Sequence, residues 1–191
     1  VDKSRLEAFS DGVFAILITI MVLDFKVPGN SGWQGAATVV PTLSGYLLSF
    51  VYIGIYWNNH HHMMKLAPPV NGGVLWANLH LLFWLSLVPF TTRWMDESGF
   101  AAVPVFIYGS NLLLAAVAYT ILQSALIRLQ GSTGTLAGAL GRNLKGMASP
   151  VIYVIGCAAA LALPLLALAA YAVVAALWLV PDRRLERAIS A

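Results

Sequence analysis

From Gly12 to Leu23 the chain reads GVFAILITIMVL, an apolar run without a single charge. It opens on the polar string Arg5-Leu6-Glu7-Ala8-Phe9-Ser10-Asp11 and closes on the turn signal Val27-Pro28-Gly29-Asn30. A membrane-crossing helix needs about 20 predominantly apolar residues, and runs of that length recur along the chain. The first covers residues 6–25. The second, 37–64, stops before Ala67-Pro68-Pro69, and the third and fourth cover 74–94 and 101–127. A Gly-rich polar stretch from Gln130 to Lys145 precedes a last apolar block, Met147 to Val180, that is too long for one span. Pro164 lies near its middle and splits it into 147–163 and 165–180; one kinked helix plus a re-entrant piece is the alternative. The pattern predicts an all-α, polytopic membrane protein, with residues 1–191 forming a single six-helix transmembrane domain.

Composition agrees. The chain is 59% hydrophobic and 10% charged, against about 25% charged in ordinary soluble domains. The longest polar stretch leaves no room for a soluble domain. A lone cysteine, Cys157, excludes an intrachain disulfide framework. The net charge of +3 is too small and dispersed to suggest a nucleic-acid partner. Lys3 and Arg5 resemble the basic start of a signal peptide, but Glu7 and Asp11 intrude and no small-residue cleavage pattern follows, so the first helix is expected to be retained.

Charge tests the number of spans separately. Six spans put Lys3, Arg5, Lys65, Arg128, Arg142, Lys145, Arg183, Arg184 and Arg187 on one side and only Lys26 and Arg93 on the other, nine basic residues against two. One span fewer would give six against five. The positive-inside bias favours six, with both termini cytoplasmic.

An aspartate at bilayer depth costs roughly 2.5–3.5 kcal/mol on an insertion scale, so Asp11 needs a partner, water or a task. Stepping about 100° per residue, Gly12, Ile16, Thr19 and Leu23 share one face of the first helix, with Ile20 at its margin. Asp11 lies on a different bearing, in line with Ala15, Ile18 and Val22, and is expected to face a neighbouring helix. An aliphatic face of this kind more commonly meets lipid or core than a pore, and Ser10-Asp11 also has the composition of a helix N-cap.

Arg5, Phe9, Ser10 and Asp11 together spell R-x-x-x-F-S-D, and with the apolar run and Val27-Pro28 that follow, the chain resembles the prokaryotic, single-repeat branch of the transmembrane protein 175 family. Animal members of that family are endosomal and lysosomal potassium channels. The resemblance implies a potassium-selective cation channel, not an enzyme, needing no cofactor beyond the permeant K⁺. It implies four repeats around one axis, hence a homotetramer in the lipid bilayer, at the cell membrane of a prokaryote. First helices would line the pore, with aliphatic side chains as filter and gate: Ile16, five places after the aspartate, then Thr19, Ile20 and Leu23. The chain carries no T-V-G-Y-G filter. An aliphatic ring conducts while wide enough to stay wetted and closes by dewetting.

The signature residues would position that helix, with partners expected in the second and third helices: Trp57, Asn58, Asn59 and His60–His62, then Asn78 and His80. His80 is the expected partner of Asp11 or Ser10, a backbone carbonyl being its bland alternative, and a histidine there would make gating sensitive to pH. Consecutive histidines point about 100° apart on a helix, so His60-His61-His62 is not expected to hold a metal. The rival function is a secondary transporter or proton-coupled carrier using Asp11 and His80. It would call for internal repeats and broken helices, which the sequence does not display. Ser10 and Asp11 point apart, which argues against an intramembrane hydrolase.

Overall fold

A computed structural model describes residues 2–131, 134, 136, 138 and 144–179, and all regular structure among them is helical. Helix α1 spans Lys3–Ile20 and runs on into a tight 3-10 turn, Met21–Asp24. Helix α2 is Trp33–Leu66, α3 Gly72–Ser86, α4 Val88–Glu97 and α5 Ala102–Gln130. Helices α6, Leu144–Ala160, and α7, Pro164–Leu179, complete the order. Among the described residues, four apolar stretches are long enough to cross a membrane: α1 with its 3-10 extension, α2, α3 with α4, and α5. The last two helices are shorter apolar elements.

The helix ends follow local chemistry. Asp2 caps α1, its carboxylate accepting from the Ser4 amide at 3.0 Å. Ser10 and Asp11 are therefore two turns inside the helix and not its cap. Asn71 caps α3 through the Val74 amide at 3.0 Å. Pro89 cannot donate to the carbonyl four residues back, and the third apolar stretch is divided at Leu87 into α3 and α4. Pro164 is the first residue of α7, a position where a missing amide hydrogen is harmless. Gly131, with φ of 91°, ends α5 in a backbone region that L side chains avoid. Helix α2 starts earlier than its apolar run suggests. Its 34 residues correspond to roughly 50 Å of helix, well beyond a hydrocarbon core of about 30 Å.

Helices α6 and α7 form an antiparallel hairpin. Trp178 Nε1 donates to Ser149 Oγ at 2.8 Å, and nearer the turn Tyr171 Oη donates to Cys157 Sγ at 3.6 Å. Helix α5 packs against α3, α4, α6 and α7, and α1 lies against α2 and α3. Tyr108, Tyr153 and Tyr171 are fully buried where α5, α6 and α7 meet. A hydroxyl cluster ties α2, α4 and α5 together: Ser49 Oγ lies 2.7 Å from Thr92 Oγ1 and 3.0 Å from Tyr108 Oη. Of the basic residues used to orient the chain, Arg142, Arg183, Arg184 and Arg187 lie outside the described residues, as does Val180 at the end of the last apolar run.

Candidate pore helix and its anchor

One stripe of α1 is buried: Leu6, Ser10, Phe14 and Leu17, continued by Met21 in the 3-10 turn. The three- and four-residue spacing is that of a helix face pressed on its neighbours. Within the stripe Ser10 is the polar member, fully buried. Its hydroxyl donates to the Leu6 carbonyl at 2.8 Å and accepts from Asn78 Nδ2 at 2.9 Å. Asn78 Oδ1 in turn lies 2.8 Å from His60 Nε2. The roles are forced in sequence. Ser10 spends its one proton on Leu6, so Asn78 must present its amide nitrogen there and its oxygen to His60, which makes His60 Nε2 the donor. The ring of Phe14 leans on His60 at 5.6 Å between centroids. Three helices thus close on one buried chain of polar contacts, Ser10 from α1, Asn78 from α3 and His60 from α2.

Asp11 has its own partner on α2. Trp57 Nε1 donates to Asp11 Oδ1 at 2.9 Å, and the Trp57 ring stacks on His61. Two residues before the signature, Lys3 Nζ donates to the carbonyls of Met64 and Ala67 at 2.9 and 3.2 Å. An ammonium group at those carbonyls, of which Met64 O also accepts from the Ala67 amide at 3.0 Å, complements the negative end of the α2 dipole.

The expected pairing of His80 with Asp11 or Ser10 does not occur. His80 is exposed and accepts from Trp84 Nε1, one turn along its own helix, at 2.9 Å. Two residues are about 200° apart on a helix, so once Asn78 faces α1, His80 must face away. His60 takes the place foreseen for His80. Asp11 and His80 therefore share no site, which removes the proton pathway that a carrier built on that pair requires. Asn58 is half-buried and makes no hydrogen bond to the signature. Arg5 and Phe9 are exposed, and Arg5 forms no ion pair with any described residue. Lys3 is the anchoring residue that sequence reasoning passed over. The signal was its place at the start of α1, level with the carbonyls that end α2.

The opposite face of α1 is bare. Ile16 is 61% exposed, Ile20 46% and Leu23 79%, and Thr19 lies among them. A side chain added at Gly12 would meet nothing within 4 Å. Thr19 Oγ1 donates back to the Ala15 and Ile16 carbonyls at 2.9 and 3.1 Å, so the remaining lone pairs of the oxygen are left for the open side. Leu23 sits in the 3-10 turn, where residues three apart eclipse one another. It therefore stacks beyond Ile20 and leaves the bearing that a continuous α-helix would give it beside Ile16. The C-terminal end is tied to α4: Arg93 Nη1 bridges Asp24 at 3.0 Å and Arg93 Nε reaches Glu97 at 3.2 Å.

Fold and site together define a multi-pass helical membrane protein whose first helix is fastened on one face and open, aliphatic and uncharged on the other. The family model described as endosomal/lysosomal potassium channel TMEM175 matches residues 5–89, which include the signature, Trp57, His60 and Asn78. A potassium channel of Chryseobacterium sp. (strain P1-3) is 49% identical over 187 residues, 98% of this chain and 97% of its own. The endosomal/lysosomal proton channel TMEM175 of Bos taurus is 35% identical over 86 residues, 37% of this chain and 18% of its own. Among solved structures, the crystal structure of a lysosomal potassium-selective channel TMEM175 homologue from Chamaesiphon minutus superposes with a TM-score of 0.82 at 25% identity, covering 94% of this chain and 97% of that one. The chain belongs to the TMEM175 family.

Proposed function

We propose that this chain is a potassium channel that works as a homotetramer, four copies of α1 surrounding one pore. The observation that carries this reading is the division of α1 into two faces. The face bearing Ser10 and Phe14 is consumed by contacts with α2 and α3, whereas Ile16, Thr19, Ile20 and Leu23 are left exposed among the described residues. Four such faces around an axis would bury that surface and make an aliphatic path with one ring of hydroxyls. Ile16 is assigned the narrowest ring and Leu23 a second one. A ring without charges or carbonyls excludes ions by the cost of shedding water, so it favours K⁺, which dehydrates more easily, over Na⁺ and closes when narrowed enough to dewet. The Thr19 hydroxyl, its proton directed back into the helix, offers oxygen to a cation and nothing to an anion. The permeant ion is the sole bound species needed, and no cofactor enters.

The Chryseobacterium relative, which matches over nearly the whole of both chains, supports a plasma membrane of bacterial type as the site of action, and the positive-inside bias supports cytoplasmic termini. The decisive experiment is ion flux from proteoliposomes holding the purified chain. K⁺ efflux well above that of Na⁺ is expected, with crosslinking to a tetramer. A flux carried by protons alone, or the absence of cation flux, overturns the reading.

A further inference from the structure

Away from α1, helices α2, α5, α6 and α7 line a partly open cavity of about 190 Å³. Its wall is aromatic, with Tyr56, Tyr119, Tyr153 and Trp178 contributing rings, and none of the described residues that line it is charged. Most of the polar groups there are already engaged. Asn59 Nδ2 donates to the Ile55 carbonyl at 2.8 Å, Thr120 Oγ1 to the Ala116 carbonyl at 2.9 Å, and Ser149 Oγ both donates to Lys145 and accepts from Trp178. Gln123 differs. It is 9% exposed, lines the cavity, and makes no hydrogen bond with any described residue. The Tyr56 hydroxyl, on the facing wall, has no hydrogen bond to a described residue either. A buried carboxamide carries two donors and an acceptor, and leaving them unmet is unfavourable unless something in the cavity meets them.

We propose that this cavity binds a small uncharged amphiphile with a single ring and one hydroxyl, the hydroxyl paired with the Gln123 carboxamide and the ring among the tyrosines and Trp178. Size sets the class: an apolar cavity of roughly 150 Å³ accepts benzene, so this one holds a substituted single ring and not a whole lipid. With no charge among the described lining residues, a buried carboxylate or ammonium group would go uncompensated, which favours an uncharged ligand. Aromatic walls with one polar anchor are the usual make-up of a small-molecule pocket. None of the described residues that line the site belongs to α1, and its occupancy does not depend on how α1 is used.

The test is ¹⁹F NMR of 4-(trifluoromethyl)phenol titrated into the full chain in lipid nanodiscs, with empty nanodiscs as the partition control. Saturable line broadening is expected above the linear uptake of the empty discs. Gln123→Leu, which keeps volume and removes the carboxamide, should weaken binding by about fivefold, the weight of one neutral hydrogen bond. The same variant should leave binding of 4-(trifluoromethyl)toluene, which lacks the hydroxyl, unchanged. Ala116→Phe, which fills the cavity, should abolish saturable binding of both probes. Uptake no different from empty nanodiscs would mean that the cavity holds only water or acyl chain and would overturn the proposal. Equal affinity of the wild-type chain and Gln123→Leu for the phenol would overturn it as well.

Discussion

Asn78 and Ser10 meet 2.9 Å apart across the junction of α3 and α1, amide nitrogen to hydroxyl oxygen, with both side chains buried. The contact leaves Asn78 an oxygen for His60, so one amide links three helices. Replacing Asn78 by Ala leaves the Ser10 oxygen without its donor and the His60 N–H without its acceptor and should cost about 1–2 kcal/mol. The informative measurement is a double-mutant cycle in detergent unfolding. Ser10→Ala and Asn78→Ala together should cost less than the sum of the single changes; strict additivity would mean the bond does not form.

Ile16→Asn replaces the proposed aliphatic constriction with amides that can stand in for water. Sodium should then pass far more readily, and the bi-ionic reversal potential in planar bilayers should shift toward zero. Ile16→Val, still aliphatic, should keep most of the preference for potassium. An unshifted reversal potential in the Asn variant would move the constriction elsewhere.

Thr19→Val keeps the shape and removes the hydroxyl. Because that hydroxyl bonds only within its own helix turn and is exposed in the protomer, stability should change by less than about 0.5 kcal/mol. Single-channel K⁺ conductance should nonetheless fall several-fold. An unchanged conductance would remove the hydroxyl ring from the ion path.

Gly109 faces Tyr171 so closely that a methyl group there would fall within the phenol ring. Gly109→Ala should destabilise the chain by about 1–3 kcal/mol, the range for overpacking a core. It should lower the thermal unfolding midpoint accordingly. Tyr171→Phe in the same background should recover part of the loss, since the hydroxyl oxygen is the nearest atom to the added carbon.

The helices were legible because a membrane chain declares them by length and apolarity, and because Pro164 and the turn at Ala67-Pro68-Pro69 break the pattern where the backbone breaks. The signature also pointed to the right neighbours, Trp57 and Asn78. That His60 and not His80 meets the signature is hidden in the sequence for a geometrical reason. His60, His61 and His62 sweep through about 200° of α2, and nothing local says which one faces inward. That is decided by where Asn78 stands, which depends on how α3 is rotated against both other helices. The 3-10 ending of α1 was hidden for a similar reason. Residues Met21–Asp24 are apolar enough to continue an α-helix, and the tie between Asp24 and Arg93 at that end spans 69 positions of the chain.

The fastenings of α1 are unevenly distributed along its length. Lys3, Ser10 and Asp11 hold its first three turns through hydrogen bonds, two of them involving fully or largely buried groups. Beyond Phe14 there is only apolar contact and then the exposed Arg93 bridge, a kind of pair worth about 1 kcal/mol or less. Mechanically this is a cantilever, clamped at the N-terminal end and compliant at the far one. A given swing of the rod displaces Leu23 more than Ile16, so the two proposed rings narrow at different rates. A push on α4, delivered through Arg93, acts at the end with the longest arm.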